Sequence, residues 1–111
     1  MSDYVQVWTA VHSRDAAVKL AQDGVAARLA ASAQVVGPVA TVFWHHGELG
    51  TGEEWQVILY TTIELYGAIE SWLGEDHPWD NPQIMATPIV YGSPEYLAWI
   101  SRATADGQQL P

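Results

Sequence analysis

A chain of 111 residues, 49% of them apolar, has the length of one domain spanning residues 1–111 and enough apolar mass for one core. Thirteen acids against four bases give a formal charge of −9, a field that repels phosphate backbones and anionic bilayers, so neither nucleic acid nor membrane is an expected partner. The absence of cysteine excludes disulfides, thiolate metal sites and cysteine nucleophiles.

Tyr4 to Val11 alternates and is rich in Val, Trp and Thr, the pattern of a strand. Ser13 suits a helix N-cap, with Asp15 in the first turn set against the helix dipole. That helix is expected to run to about Ala31, with Ala17, Leu20, Ala21, Val25 and Leu29 on one face. Strand character returns from Ala33 to about His46, with a bend or bulge at Gly37-Pro38. Gly47 to Gly52 holds three glycines in six residues and reads as a hairpin loop, with Trp55 to Thr62 as the partner strand.

Leu65, Ala68, Ile69, Trp72 and Leu73 form one helical stripe, which Gly74 should end. A loop from Glu75 to Pro82 follows, because Pro78 and Pro82 turn their preceding residues away from helix. Ile84 to Tyr91 reads as a fourth strand. Ser93-Pro94 then pairs an N-cap with proline at the first helical position, starting a helix that ends before Gly107. The tail from Asp106 to Pro111 is expected to fray.

The order βαββαβ with a terminal helix is the α+β, ferredoxin-like arrangement. Helices cover one face of such a sheet. Here both residue sets of the strands are apolar or aromatic, so the second face would be exposed in a lone chain, and such a patch signals association. Trp8, Trp44 and Trp55 are expected there, since Leu20, Val25, Leu29, Ile69 and Trp72 fill the covered side.

All four bases (Arg14, Lys19, Arg28, Arg102) fall in the first and last helices, and none lies between Arg28 and Arg102. This acidic middle favours cations or cationic partners, although most of its carboxylates serve as solvated surface. The first residues, Met1-Ser2-Asp3-Tyr4, carry no basic or apolar leader pattern, and no apolar run is long enough to span a bilayer. The cytoplasm is therefore the expected compartment.

His45 and His46 close the second strand, where neighbouring side chains point to opposite faces, so regular β geometry keeps both from one ion. His77 stands between Asp76 and Pro78, beside Trp79 and Asp80. Its imidazole suits copper, nickel or zinc; the alternative is a ring packed under the proline loop and hydrogen-bonded to a backbone carbonyl. No nucleophile elbow, P-loop, dinucleotide fingerprint or zincin spacing is present, so catalysis is not the expected role. An enzyme would have to use His77 or Tyr60 for proton transfer, with Glu64 or Asp80.

The run His77-Pro78-Trp79-Asp80-Asn81-Pro82-Gln83-Ile84-Met85-Ala86-Thr87-Pro88-Ile89, followed by Tyr96-Leu97-Ala98-Trp99-Ile100, is an ordered signature. Arg28-Leu29-Ala30-Ala31 and Ile58-Leu59-Tyr60-Thr61-Thr62 extend it upstream. On these residues the chain resembles the CutA family, small trimeric proteins named for divalent-cation tolerance. The resemblance implies one CutA-like domain and a homotrimer whose sheets pack around a threefold axis, with long hairpins of the second and third strands reaching across to neighbours. It also implies a binding or regulatory role toward copper(II) or another divalent cation, with His77, His45 and His46 as metal candidates and a cleft between subunits.

Several positions depart from the family pattern. Ser32 stands where relatives have Cys, Tyr60 where they have Lys, and Gln83 where they have Glu, while His45-His46 replace Trp-Glu and the Trp moves to Trp44. A tight metal site needs deprotonated, preferably anionic ligands. A cleft of Ser32, Trp44, Tyr60, His77, Trp79 and Gln83 is therefore equally read as a pocket for a small organic molecule.

Overall fold

The computed structural model describes residues 3–105, and the tail expected to fray lies outside them. Its elements run β1 (Tyr4–Val11), α1 (Arg14–Ala26), β2 (Ser32–His45), β3 (Glu48–Thr62), a 3-10 turn (Ile63–Leu65), α2 (Tyr66–Asp76), β4 (Met85–Pro88) and α3 (Pro94–Ala103). The four strands form one antiparallel sheet in the order β2-β3-β1-β4. This is the α+β ferredoxin-like arrangement expected from the pattern, with a long β2–β3 hairpin and a C-terminal helix.

Register assigns the faces. Val7 lies opposite Leu59 and Thr9 opposite Val57, so the odd positions of β1 point under the helices. Val5, Val7, Leu59, Leu65, Ile69 and Leu73 are all buried there, each stabilising the fold by about 1.5–3 kcal/mol. The even positions face away from the helices. Trp8 stands among them and donates its indole N–H to Thr87 Oγ1 at 3.2 Å. Trp55, by contrast, lies opposite Val11 on the helix side and packs against the core. Its expected place on the open face is thus corrected.

Ser13 caps α1 as expected, its hydroxyl accepting from the Ala16 N–H at 3.1 Å. The helix stops at Ala26 rather than Ala31. Arg28 adopts a left-handed backbone (φ 63°), its N–H bonding Val25 O while the Leu29 N–H bonds Gly24 O. This pair of bonds closes a Schellman motif, which usually takes glycine at the position Arg28 occupies.

The glycine-rich loop expected over Gly47 to Gly52 is instead a two-residue turn. His46 (φ 49°) and Gly47 (φ 80°) both have positive φ, the requirement of a type I′ hairpin turn, so pairing resumes at once with His45 opposite Glu48. The hairpin therefore forms a long two-stranded arm. Its register slips between Val36 and Val39, where the bulge at Gly37-Pro38 was expected. Gly74 does not end α2, which continues to Asp76 and hands over to His77 ahead of Pro78. β4 shortens to Met85–Pro88, and Ser93 precedes α3 without a side-chain capping bond.

No helix among the described residues is long and apolar enough to cross a membrane.

Candidate functional site

His77 is the C-cap of α2, and its ring is buried against the end of β1. Nε2 lies 2.8 Å from Ala10 O, an acceptor, so this nitrogen carries the proton. Nδ1 then has the lone pair, and it accepts the Trp79 backbone N–H at 3.0 Å. Burial holds the His77 pKa below its ordinary value, and the Ala10 carbonyl opposes that shift in part. Both ring nitrogens are spent on holding the proline loop to the sheet. A cation could reach this ring only by breaking one of these bonds.

The loop that His77 secures carries Trp79 toward the β2–β3 arm. Together they enclose a cavity of about 770 Å³ lined by Phe43, Trp44, Glu53, Trp79, Asp80 and neighbours, with His45 and His46 at its edge. Phe43 lays its ring over Gly50, on the face of the arm opposite to Trp44, so the side chains that share the concavity are the indoles of Trp44 and Trp79 and the carboxylates of Glu53 and Asp80. Phe43, Glu53 and Asp80 were not in the expected cleft. The turn residues could have revealed Glu53, since a two-residue turn at His46-Gly47 sets it opposite Ala40, on the face of Trp44.

His45 and His46 occupy the tip of the arm. His46 has left the strand for the turn, so strand alternation no longer separates the two rings, whose centroids lie 4.1 Å apart edge to face. Among the described residues no group of three or more His, Asp or Glu side chains is arranged to hold a metal ion. The residues present do not supply a closed coordination sphere.

The remaining candidates gather elsewhere. Ser32 starts β2 opposite Tyr60, whose hydroxyl donates to Gln34 Oε1 at 2.7 Å. Ser32 also borders an apolar groove between α1 and β2 that Trp99 helps to line. Trp44 lies twelve residues farther along the same strand, roughly 40 Å at about 3.3 Å per residue. Gln83 is exposed in the loop before β4 and does not line the cavity. One chain therefore brings Trp44 and Trp79 together but keeps Ser32 and Tyr60 apart from them.

The pattern described as the CutA1 divalent ion tolerance protein matches residues 5–103. The chain is 31% identical over 82 residues to a divalent-cation tolerance protein CutA of Escherichia coli, covering 74% of this chain and 73% of that protein. It is 28% identical over 102 residues to the chloroplastic protein CutA 1 of Oryza sativa, covering 92% of this chain and 58% of that protein. The chain thus spans little more than half the length of that relative. The solved structure of CutA from Synechococcus elongatus superposes with a TM-score of 0.89 at 27% identity, covering 94% of this chain and 92% of that one. The chain belongs to the CutA1 divalent ion tolerance family.

Proposed function

We propose that this chain works as a homotrimeric binding and regulatory protein in divalent-cation tolerance, with its ligand cleft formed where the arm of one copy meets the next. The observation that carries the reading is the separation along β2. Ser32 and Tyr60 can join Trp44 and Trp79 in one cleft only if they come from different copies.

Surface exposure supports the same assembly. Val42, Trp44 and Leu49 on the arm are exposed by 67%, 75% and 65%, a cost in water that a neighbour would remove. β2 and β4 are both edge strands, and past β4 Val90 is exposed and Tyr91 almost fully so. Light scattering at micromolar concentration tests this, with the mass of three 12.2 kDa chains expected. The mass of one chain would overturn both the trimer and its shared cleft.

The divalent-cation part of this proposal is confined to weak contact with copper(II) or a similar ion at the tip imidazoles of His45 and His46. Calorimetric titration of copper(II) and zinc(II) checks it. His77→Ala should leave the affinity unchanged, because that ring is committed to Ala10 and Trp79; a large loss would return His77 to the site. The cytoplasm belongs to the same proposal, and fractionation of the native host tests it.

A second reading, a cleft for a small organic molecule, is favoured by one observation. The aromatic-lined cavity of about 770 Å³ falls within the usual size of small-molecule sites.

A further inference from the structure

We propose that the cavity between the β2–β3 arm and the 79–81 loop binds a small organic ammonium ion. The proposal rests on the reading of this region as a ligand cleft, and it assigns the class of ligand.

Two indole rings, those of Trp44 and Trp79, contribute to the cavity lining. The face of an aromatic ring carries negative potential and attracts a cation whose hydration is weak. Glu53 lies opposite Ala40 and so shares the Trp44 face of the arm, whereas the Phe43 ring rests over Gly50 on the other face. The Trp79 backbone N–H is bonded to His77 Nδ1 and its ring rests against the His77 imidazole with centroids 5.2 Å apart, so the ligand has less of this wall to order.

Charge gives the sign. Glu53 and Asp80 line the same cavity, and no Lys or Arg occurs between Arg28 and Arg102 to neutralise them. Lys19 is paired with Asp23 on α1, and among the described residues neither Glu53 nor Asp80 has a cationic partner. Aromatic and acidic walls together match a cation with an apolar shell.

A metal ion fits these walls poorly. Divalent cations lose a tightly held hydration shell on binding and need several anionic or imidazole donors in return. Glu53 and Asp80, even with the His45 and His46 imidazoles at the edge, do not provide them, because no three such groups among the described residues are arranged around one point. An alkylated ammonium has little hydration to lose, and its methyl groups can rest on the rings while the carboxylates balance its charge.

The test uses the full-length assembled protein and two probes, choline and tetramethylammonium, titrated by calorimetry beside 3,3-dimethylbutan-1-ol, the uncharged isostere of choline. Both ammonium probes should bind, and the neutral isostere should bind at least roughly tenfold more weakly. Asp80→Asn and Trp79→Leu should each lower choline affinity several-fold; Asp80→Asn, which keeps size and shape, should leave the melting temperature unchanged. Equal binding of the neutral isostere would overturn the assignment to cations while leaving the ligand cleft intact. Binding of none of the three would overturn both.

Discussion

The guanidinium of Arg28 donates through Nη1 to Ala103 O at 3.1 Å, joining the end of α1 to the last turn of α3. The contact sets a cation on carbonyls at the negative end of the α3 dipole. It also accounts for a non-glycine residue in a left-handed conformation (φ 63°), which costs roughly 1 kcal/mol. Arg28→Ala keeps that strain and loses the bond, so it should destabilise by about 1–2 kcal/mol. Arg28→Gly relieves the strain and should cost less than the alanine variant. Urea midpoints at equal slope give the comparison, and the reverse order would show that the backbone there is unstrained.

Gly37 sits beneath the indole of Trp55, where an added Cβ would lie 2.6 Å from Cδ2 and Cε3. That distance is well inside van der Waals contact, and the ring is packed against the core and has little room to retreat. Gly37→Ala should destabilise by roughly 1–3 kcal/mol through overpacking. Thermal melts read the loss. Near-ultraviolet circular dichroism should also change, because the displaced chromophore is Trp55 itself. An unchanged spectrum with unchanged stability would show that the ring moves freely.

The His77 clamp predicts a dependence on pH. The folded-state pKa lies below the ordinary value of 6.5, so the unfolded chain takes the proton more readily. The stabilisation is therefore complete above pH 6.5. It shrinks as the pH falls below 6.5 toward the lowered folded value, and the imidazolium cannot accept the Trp79 N–H. His77→Gln should be less stable than the parent at pH 7.5, with the gap narrowing by pH 5. The difference between parent and variant isolates this group from the carboxylates, and a constant gap would show that His77 does not titrate on unfolding.

Thr9 Oγ1 is buried in the core face of β1 without a hydrogen-bond partner. A hydroxyl enclosed in this way forfeits its bonds to water and costs on the order of 1–3 kcal/mol. Thr9→Val keeps the shape and removes the unsatisfied group, so it should raise stability by about 1 kcal/mol. A lower melting temperature would mean that the hydroxyl has a partner, such as an internal water.

Much of this architecture is legible in the sequence because one residue pattern dictates each element. The alternation of β1, the Ser13 cap and the stripe through Leu65, Ile69 and Leu73 each have one satisfactory local solution. The hairpin failed for a physical reason. Three glycines within Gly47 to Gly52 suggest a loop by composition, but Gly50 and Gly52 are strand residues, and the missing side chain of Gly50 makes room for the ring of Phe43. Only Gly47 is needed for its positive φ.

That misplacement hid the cavity, because the register of the arm sets Glu53 on the same face as Trp44. The fate of His77 was also open in the sequence. A histidine beside two acids can bind a metal or clamp a loop, and only the positions of Ala10 O and the Trp79 N–H distinguish the two. Spacing alone also concealed that Ser32 and Trp44 lie at opposite ends of one strand.

The arm has a further consequence for hydrogen exchange. Between Val39 and Glu54 the hairpin is held by its ladder of backbone bonds and has none of the buried apolar cluster beneath it. Its amides in a lone chain should open locally at a small fraction of the free energy that protects Val7 and Leu59. If the arm docks on a second copy, these amides slow with rising protein concentration while the centre of β1 does not. The exchange rates along one hairpin then report the assembly equilibrium residue by residue, with the boundary at the bulge between Val36 and Val39.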